Sequence, residues 1–209
     1  MTIPSNGKGN AVCALRLVVA AFVGVGLFAD SLAAFAGVTS TTSTRYYNVS
    51  GTTKKTLARK MRSNPFRGDR GAAVANIRPK YTLDVKTVKT GGTCKASNVN
   101  LRVRFVLTLP RAKEGAMSSG TRSVWRSFVS FARRHEQRHR SIYMQCARNF
   151  AAKAKRLTAS SCGAVKAKAR RLLNAEDRAC DRRHAAFDRS ERKRLVRQPL
   201  FRSTRTARR

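Results

Sequence analysis

The sequence predicts an α+β domain in which a small antiparallel sheet packs on long C-terminal helices. The strand signal is clearest between Val99 and Leu109, where apolar and polar residues alternate without a break. The helical signal begins at about Ser119 and again at about Ala164, where apolar residues recur every three or four positions. Strands therefore come first in the chain and helices second.

Residues 1–36 are predicted to be a signal peptide. A twelve-residue apolar run from Leu17 to Phe28 follows two basic residues and is too short to cross a bilayer comfortably. Ala34 and Ala36 place small residues at the two positions that a signal peptidase reads, so we expect cleavage after Ala36 and a periplasmic or extracellular protein. The alternative is an uncleaved membrane anchor.

The rest of the chain divides into three parts by composition. Residues 37–44 are small and polar and are predicted to form a flexible leader. Residues 45–191 are predicted to form the single α+β domain. Residues 192–209 are rich in arginine and are predicted to form a disordered basic tail.

The first half of the domain contains the expected strands and one short helix. Residues 45–51 and 81–89 are predicted strands, and residues 52–64 a helix with a threonine N-cap that breaks at Pro65. The strand 99–109 has one apolar and one polar face, which is typical of an antiparallel sheet that is covered on one side only.

The cysteines indicate disulfides rather than a thiolate metal site. Cys13 lies in the predicted signal peptide, which leaves Cys94, Cys146, Cys162 and Cys180 in the mature chain. An even number without a Cys-x-x-Cys spacing is typical of two disulfides in an exported domain. The three possible pairings stay open.

The segment "HEQRH" carries the strongest chemical signal. A helix brings His135 and His139 onto one side, one turn apart, where both imidazoles can bind the same zinc ion. Glu136 lies beside them, where its carboxylate can act as general base towards a water that the metal activates. The two histidines share a stripe with Trp125 and Phe128, so they point into the protein. The alternative is a pair of histidines that are hydrogen-bonded in the core or lie on a basic surface.

Catalytic zinc takes three protein ligands and leaves a fourth position for water. The candidates for the third ligand are His184, Asp188 and Glu191, which lie within two turns on one face of the second predicted helix. We prefer His184 because it is the only remaining histidine, with Asp188 and Glu191 as alternatives.

From about Tyr46 to Glu191 the chain resembles a bacterial family of exported, largely uncharacterised zinc-dependent proteases. The resemblance rests on the order of "YYNVSGTT", "GTC" before the long strand, "LTLP" at its end, a tryptophan in the following helix, and "HEQRH". It implies a zincin-like metallohydrolase with Zn²⁺ as cofactor, His135 and His139 as ligands and Glu136 as general base.

The chain departs from this family in two places. Arg138 replaces a small residue just before the second histidine. Phe187 and Asp188 match an aromatic-Asp pair of the family, but no histidine follows them. By its position in the family, Asp188 is either the third ligand or the carboxylate that orients an imidazole.

Two functions follow from these observations. The first is an exported zinc-dependent hydrolase, most simply an endopeptidase with a polypeptide substrate. The second is a non-catalytic secreted protein that binds an anionic cell-envelope polymer, lipid or nucleic acid, because 45 Lys and Arg face only 10 Asp and Glu. A basic tail could also tether the enzyme to an anionic polymer or lipid surface. No specific nucleic-acid partner is predicted, because basic residues are spread along the chain and aromatic residues make up only 7% of it.

Overall fold

The computed structural model describes residues 37–68 and 71–202, which form a mixed sheet and two long helices. The predicted signal peptide lies outside the described residues. The first half contains β1 (Val38–Asn48), α1 (Lys54–Ser63), β2 (Phe66–Gly68), β3 (Gly71–Ala73), β4 (Asn76–Thr90) and β5 (Thr93–Arg111). A 3₁₀ turn (Glu114–Ala116) leads to α2 (Ser119–Ala154), β6 (Thr158–Ala159), α3 (Cys162–Val196) and α4 (Pro199–Arg202).

The main sheet has the strand order β1-β5-β4, with β6 paired to the first residues of β5. β4 and β5 form an antiparallel hairpin whose turn residues Gly91 and Gly92 have positive φ, which glycine adopts without a steric penalty. The α+β class is confirmed. The predicted antiparallel pairing is present between β4 and β5, and β1 makes the sheet mixed, because it runs parallel to β5 from the pair Val38–Leu101 to the pair Asn48–Arg111. The intervening α1, β2, β3 and β4 supply the long crossover that a parallel pair needs.

The prediction of a flexible leader at residues 37–44 was wrong, because β1 begins at Val38. This segment is rich in threonine, a β-branched residue that fits a strand when a partner strand is available. Arg140 of α2 holds it from the core side, donating hydrogen bonds to Ser40 Oγ at 2.8 Å and Thr42 Oγ1 at 3.1 Å.

The alternation in the longest strand is confirmed. One face of β5 is buried against α2 and α3, and its other face carries exposed Arg102 and Arg104. The strand continues through Pro110 to Arg111 beside β1. The buried residues of this alternation are Val99, Leu101, Val103, Phe105, Leu107 and Leu109.

Two disulfides join the elements. Cys94–Cys162 ties the start of β5 to the start of α3, and Cys146–Cys180 ties α2 to α3. The structure thus selects one of the three pairings that the sequence allows. Two disulfides are typical of a protein outside the cytoplasm. Among the described helices none has the length and apolar character that a membrane span needs.

The predicted disordered tail begins too early, at residue 192. α3 continues to Val196, and α4 places Leu200 and Phe201 in a second hydrophobic core with Trp125 and Phe128. The Phe201 ring meets Phe128 edge-on, with ring centroids 5.3 Å apart. Apolar burial thus holds this short segment despite its basic neighbours. Residues 203–209 lie outside the described part.

We expect Phe201→Ala to lower the free energy of unfolding by about 3–5 kcal/mol, because it empties a packed aromatic position. Chemical denaturation followed by circular dichroism measures this change. Arg202→Ala is the control, since Arg202 is exposed. Equal stability of the two variants would contradict the docking of α4.

Candidate metal centre

The centre lies between α2 and α3, which run antiparallel. Their contacts run in opposite order along the two helices: Lys153 with Glu176, Cys146 with Cys180, and His139 with Asp188. Ser118 caps α2 and Ser161 caps α3, each accepting a hydrogen bond from a backbone N–H of the first turn. The helical repeat then places side chains four residues apart on the face that looks at the other helix.

Three potential ligand atoms converge where the middle of α2 meets the C-terminal part of α3. His135 Nε2 and His139 Nε2 are 3.1 Å apart, and Asp188 Oδ1 lies 2.8 Å from His139 Nε2 and 3.3 Å from His135 Nε2. Tetrahedral zinc with ligands at about 2.0–2.2 Å holds neighbouring ligand atoms roughly 3.3–3.6 Å apart. The observed triangle is slightly smaller than this and has the nitrogen and oxygen donors that zinc accepts, so the residues fit the ion.

His184 lies behind the triangle rather than in it. Its side chain is fully buried, and its Nδ1 is 2.7 Å from His139 Nδ1, the ring nitrogen that faces away from Asp188. Its Nε2 lies 3.6 Å from Cys180 Sγ, and its ring centroid is 3.9 Å from that of Tyr143. The geometry therefore favours Asp188 over His184 as the third candidate ligand, and His184 is the hydrogen-bonded partner of His139.

Glu191, the other alternative, also stays outside the triangle. Its two carboxylate oxygens accept hydrogen bonds from Arg194 at 2.9 and 3.1 Å. The side chain borders the same cleft as the triangle, but its carboxylate binds the guanidinium of Arg194. The structure thus brings together His135, His139 and Asp188 and leaves Glu191 apart.

The local environment keeps Asp188 ionised. Burial alone would raise the pKa of this carboxyl, but hydrogen bonds from His135 and His139, together with their charge, hold its pKa well below the usual range. An ionised carboxylate is the form that binds a metal.

Phe187 orients the first histidine. Its ring stacks on His135 with centroids 4.8 Å apart and meets His139 edge-on at 5.0 Å. Stacking limits the rotation of the His135 imidazole, so it points towards Asp188. The sequence placed Phe187 beside Asp188 but gave no signal that its ring would lie on a histidine.

Glu136 is 5% exposed and borders a cleft of about 340 Å³ next to the triangle. One wall of the cleft is the chain from Gly71 to Ile77, and the facing wall includes Phe131 and Leu195. A carboxylate, three ligand atoms and apolar walls therefore meet in one concave site, as in most enzyme active sites. Sequence analysis missed the wall 71–77, because a Gly-Ala-rich segment carries no chemical signal.

Two other residues of α2, Tyr143 and Arg138, lie near the histidines without adding a potential ligand. Tyr143 borders the cleft, and its buried ring packs against His184 and Phe105. Arg138, the departure from the family pattern, is exposed, so its long side chain does not crowd the histidines.

We expect Asp188→Asn to weaken zinc binding more than any other substitution on α3, because it removes the anionic ligand. His184→Ala should weaken it by about 10–100-fold, the usual effect of losing the partner of a ligand. Glu191→Gln removes a carboxylate from the same cleft and is the control, with affinity within about threefold of the wild type. Competition with a chromophoric chelator measures all three, and retained affinity in Asp188→Asn would return the third position to His184.

The Cys146–Cys180 disulfide should affect the same equilibrium, because it fixes α3 against α2 one turn from His184. We expect Cys146→Ala/Cys180→Ala to lower zinc affinity about tenfold, in the range of an indirect contribution to a metal site. The matched control is Cys94→Ala/Cys162→Ala, which removes the disulfide far along the chain from the ligands. Equal losses in the two double variants, measured with the same chelator, would assign the effect to general stability.

Comparison with known proteins gives a family but no activity. Searches of the curated proteins and of the solved structures gave no match to this chain. One family model, described as "Bacterial protein of unknown function (DUF922)", matches residues 44–194, a range that includes the triangle and Glu136. Because the match covers well over half of the sequence, the chain belongs to this bacterial family of unknown function, DUF922.

Proposed function

We propose that the protein is an exported zinc-dependent hydrolase, and specifically an endopeptidase. The observation that carries the proposal is the convergence of His135 Nε2, His139 Nε2 and Asp188 Oδ1 beside the buried carboxylate of Glu136. This is the arrangement that the HExxH spacing predicts, completed by an acidic third ligand. Disulfides support the exported setting.

In this proposal His135, His139 and Asp188 would hold the ion. When bound, zinc supplies a Lewis acid that acidifies water and polarises a carbonyl group. The carboxylate of Asp188 offsets part of the positive charge that the ion brings, which matters in a chain with a formal net charge of +35. A third neutral imidazole would leave that charge uncompensated.

His184 selects the tautomer of His139. A ligand nitrogen must be free of its proton, so His139 carries its hydrogen on Nδ1 and donates it to His184 Nδ1 at 2.7 Å. The remaining proton of His184 then lies on Nε2, which faces Cys180 Sγ. This chain of contacts orients the His139 ring from behind.

Glu136 performs the proton transfer. Its carboxylate takes a proton from the attacking water and delivers it to the nitrogen of the leaving amine. The water oxygen forms the new bond to the carbonyl carbon, and the C–N bond breaks. Apolar neighbours such as Phe131 and Leu195 limit bulk water in the cleft, which strengthens the electrostatic interactions of the carboxylate.

The shape of the site favours a polypeptide among hydrolysable substrates. Within the described chain β5 has a strand on each side, so it is not available to pair with a substrate, whereas β4 has a strand on one side only. The chain leading into β4 forms the wall of the cleft, and an extended segment in such a place can bind a substrate backbone by strand addition.

We expect Glu136→Gln to keep one zinc per chain and to lower kcat by about 10²–10⁴-fold, the usual contribution of a general base. Hydrolysis of a fluorogenic peptide library measures the rate, and elemental analysis measures the metal. Glu191→Gln, which makes the same chemical change in the same cleft, is the control and should keep its rate. An undiminished rate in zinc-loaded Glu136→Gln would contradict the proposal.

A further inference from the structure

The main sheet has a second face, opposite the helices. In the pairing register, Thr41 of β1, Arg104 of β5 and Lys80 of β4 form one row across the sheet. The next row contains Arg102 and Thr82. All five side chains are exposed, and none of the described elements covers them. We call the outward positions of residues 39–45, 76–84 and 100–108 the outer sheet face.

Positive charge is concentrated on the outer sheet face. Successive rows lie about 6.8 Å apart and neighbouring strands about 4.8 Å apart, so the cations occupy a patch of roughly 20 by 10 Å. Among the outward residues of these three segments, Asp84 is the one acid, and it lies at the end away from most of the cations. The cations are Arg45, Arg78, Lys80, Arg102 and Arg104.

Most of these cations make no ion pair within the part of the chain that the structure describes. Arg45, Lys80, Arg102 and Arg104 make no ion pair with any described residue, whereas cations elsewhere do, as Arg126 does with Glu114 and Lys153 with Glu176. The rigid backbone of the sheet holds these charges close together despite their repulsion. An external anion would relieve that repulsion, which favours binding of a polyanion here.

The other residues of the face indicate which kind of polyanion fits. Hydroxyl groups lie between the cations, at Thr39, Thr41, Ser43, Thr82 and Thr108, where they can bond phosphate oxygens and sugar or polyol hydroxyls. No aromatic side chain occupies an outward position of these segments, so bases of a single-stranded nucleic acid find no stacking surface. Val106 is the one large apolar residue there and is half-buried, so nothing inserts into a lipid layer.

We propose that the outer sheet face binds a linear polyol-phosphate polymer, in which phosphodiesters join hydroxylated units without bases. Arginine binds phosphate through two parallel N–H donors, and the neighbouring hydroxyls add bonds to the polyol units. The polymer would hold the protein at an anionic cell envelope. This assigns the anionic partner to the sheet rather than to the basic tail.

The proposal goes beyond the hydrolase and does not depend on it. The outer sheet face and the metal centre lie on opposite sides of the sheet, because the triangle faces the side that carries Ala75 and Ile77. A bound polymer therefore leaves the cleft open. Loss of polymer binding and loss of hydrolysis can be measured separately.

The test uses the full chain and a poly(glycerol phosphate) of defined length. The face variant combines Arg45→Gln, Lys80→Gln, Arg102→Gln and Arg104→Gln. The matched control combines Lys166→Gln, Arg171→Gln, Arg178→Gln and Arg182→Gln, four exposed cations on α3 without an ion pair among the described residues. Both variants lose the same charge, so a difference between them reports position. A third variant, Arg45→Lys/Arg102→Lys/Arg104→Lys, keeps the charge and tests whether substitution at these strand positions by itself disturbs the sheet.

We expect the face variant to bind the polymer at least about tenfold more weakly than the wild type, with a shallower dependence on salt. The control on α3 should stay within about threefold, and the lysine variant should lose less affinity than the glutamine variant. Equal losses in the face variant and the control on α3 would overturn the proposal. Tighter, equally face-dependent binding to oligothymidylate of the same phosphate number, or to vesicles containing phosphatidylglycerol, would also overturn it by assigning a different class of partner.

Discussion

The register of α3 against α2 is the constraint on which the candidate site depends. Each helix carries a four-residue series on its inner face, with His135 and His139 on α2 and Cys180, His184 and Asp188 on α3. Cys146–Cys180 fixes the register of α3 against α2, so that His184 meets His139 and Asp188 meets both His135 and His139. A shift of α3 by one turn would bring His184 to the place of Asp188 and change the donor set.

The charge of the chain explains why an acidic donor suits this position. Basic side chains surround the histidine pair, with Arg134 and Arg138 exposed on the same two turns of α2. Bringing a divalent cation into such surroundings costs free energy, and a negatively charged ligand reduces that cost more than a neutral one. The carboxylates of Asp188 and Glu136 thus place negative charge in the cleft beside the surrounding cations of α2.

The parts of the structure that periodicity governs could be predicted from the sequence. The alternation in β5, the threonine cap of α1 and the four-residue spacing of His135 and His139 are local patterns, and each gives the observed geometry. The choice between His184 and Asp188 could not be predicted, because both lie on one face of α3. Only the packing of α3 against α2 decides which of them meets the Nε2 atoms of the two α2 histidines. The strand β1 could not be predicted either, because its threonines and serines are typical of a loop. It becomes a strand because the backbone of β5 provides hydrogen-bond partners.

The parallel placement of β1 has a consequence for how the chain reaches its native state. Val38 pairs with Leu101, so β1, the first of the described strands, has no partner until more than sixty further residues have been synthesised. During that interval its main chain is an open template for association with other molecules. The hydroxyl-rich sequence "TSTTST" lowers this risk, because a hydrophilic strand buries little apolar surface when it pairs with another molecule. The polar composition that makes β1 resemble a linker in the sequence thus also reduces association of the nascent polypeptide before β5 is synthesised.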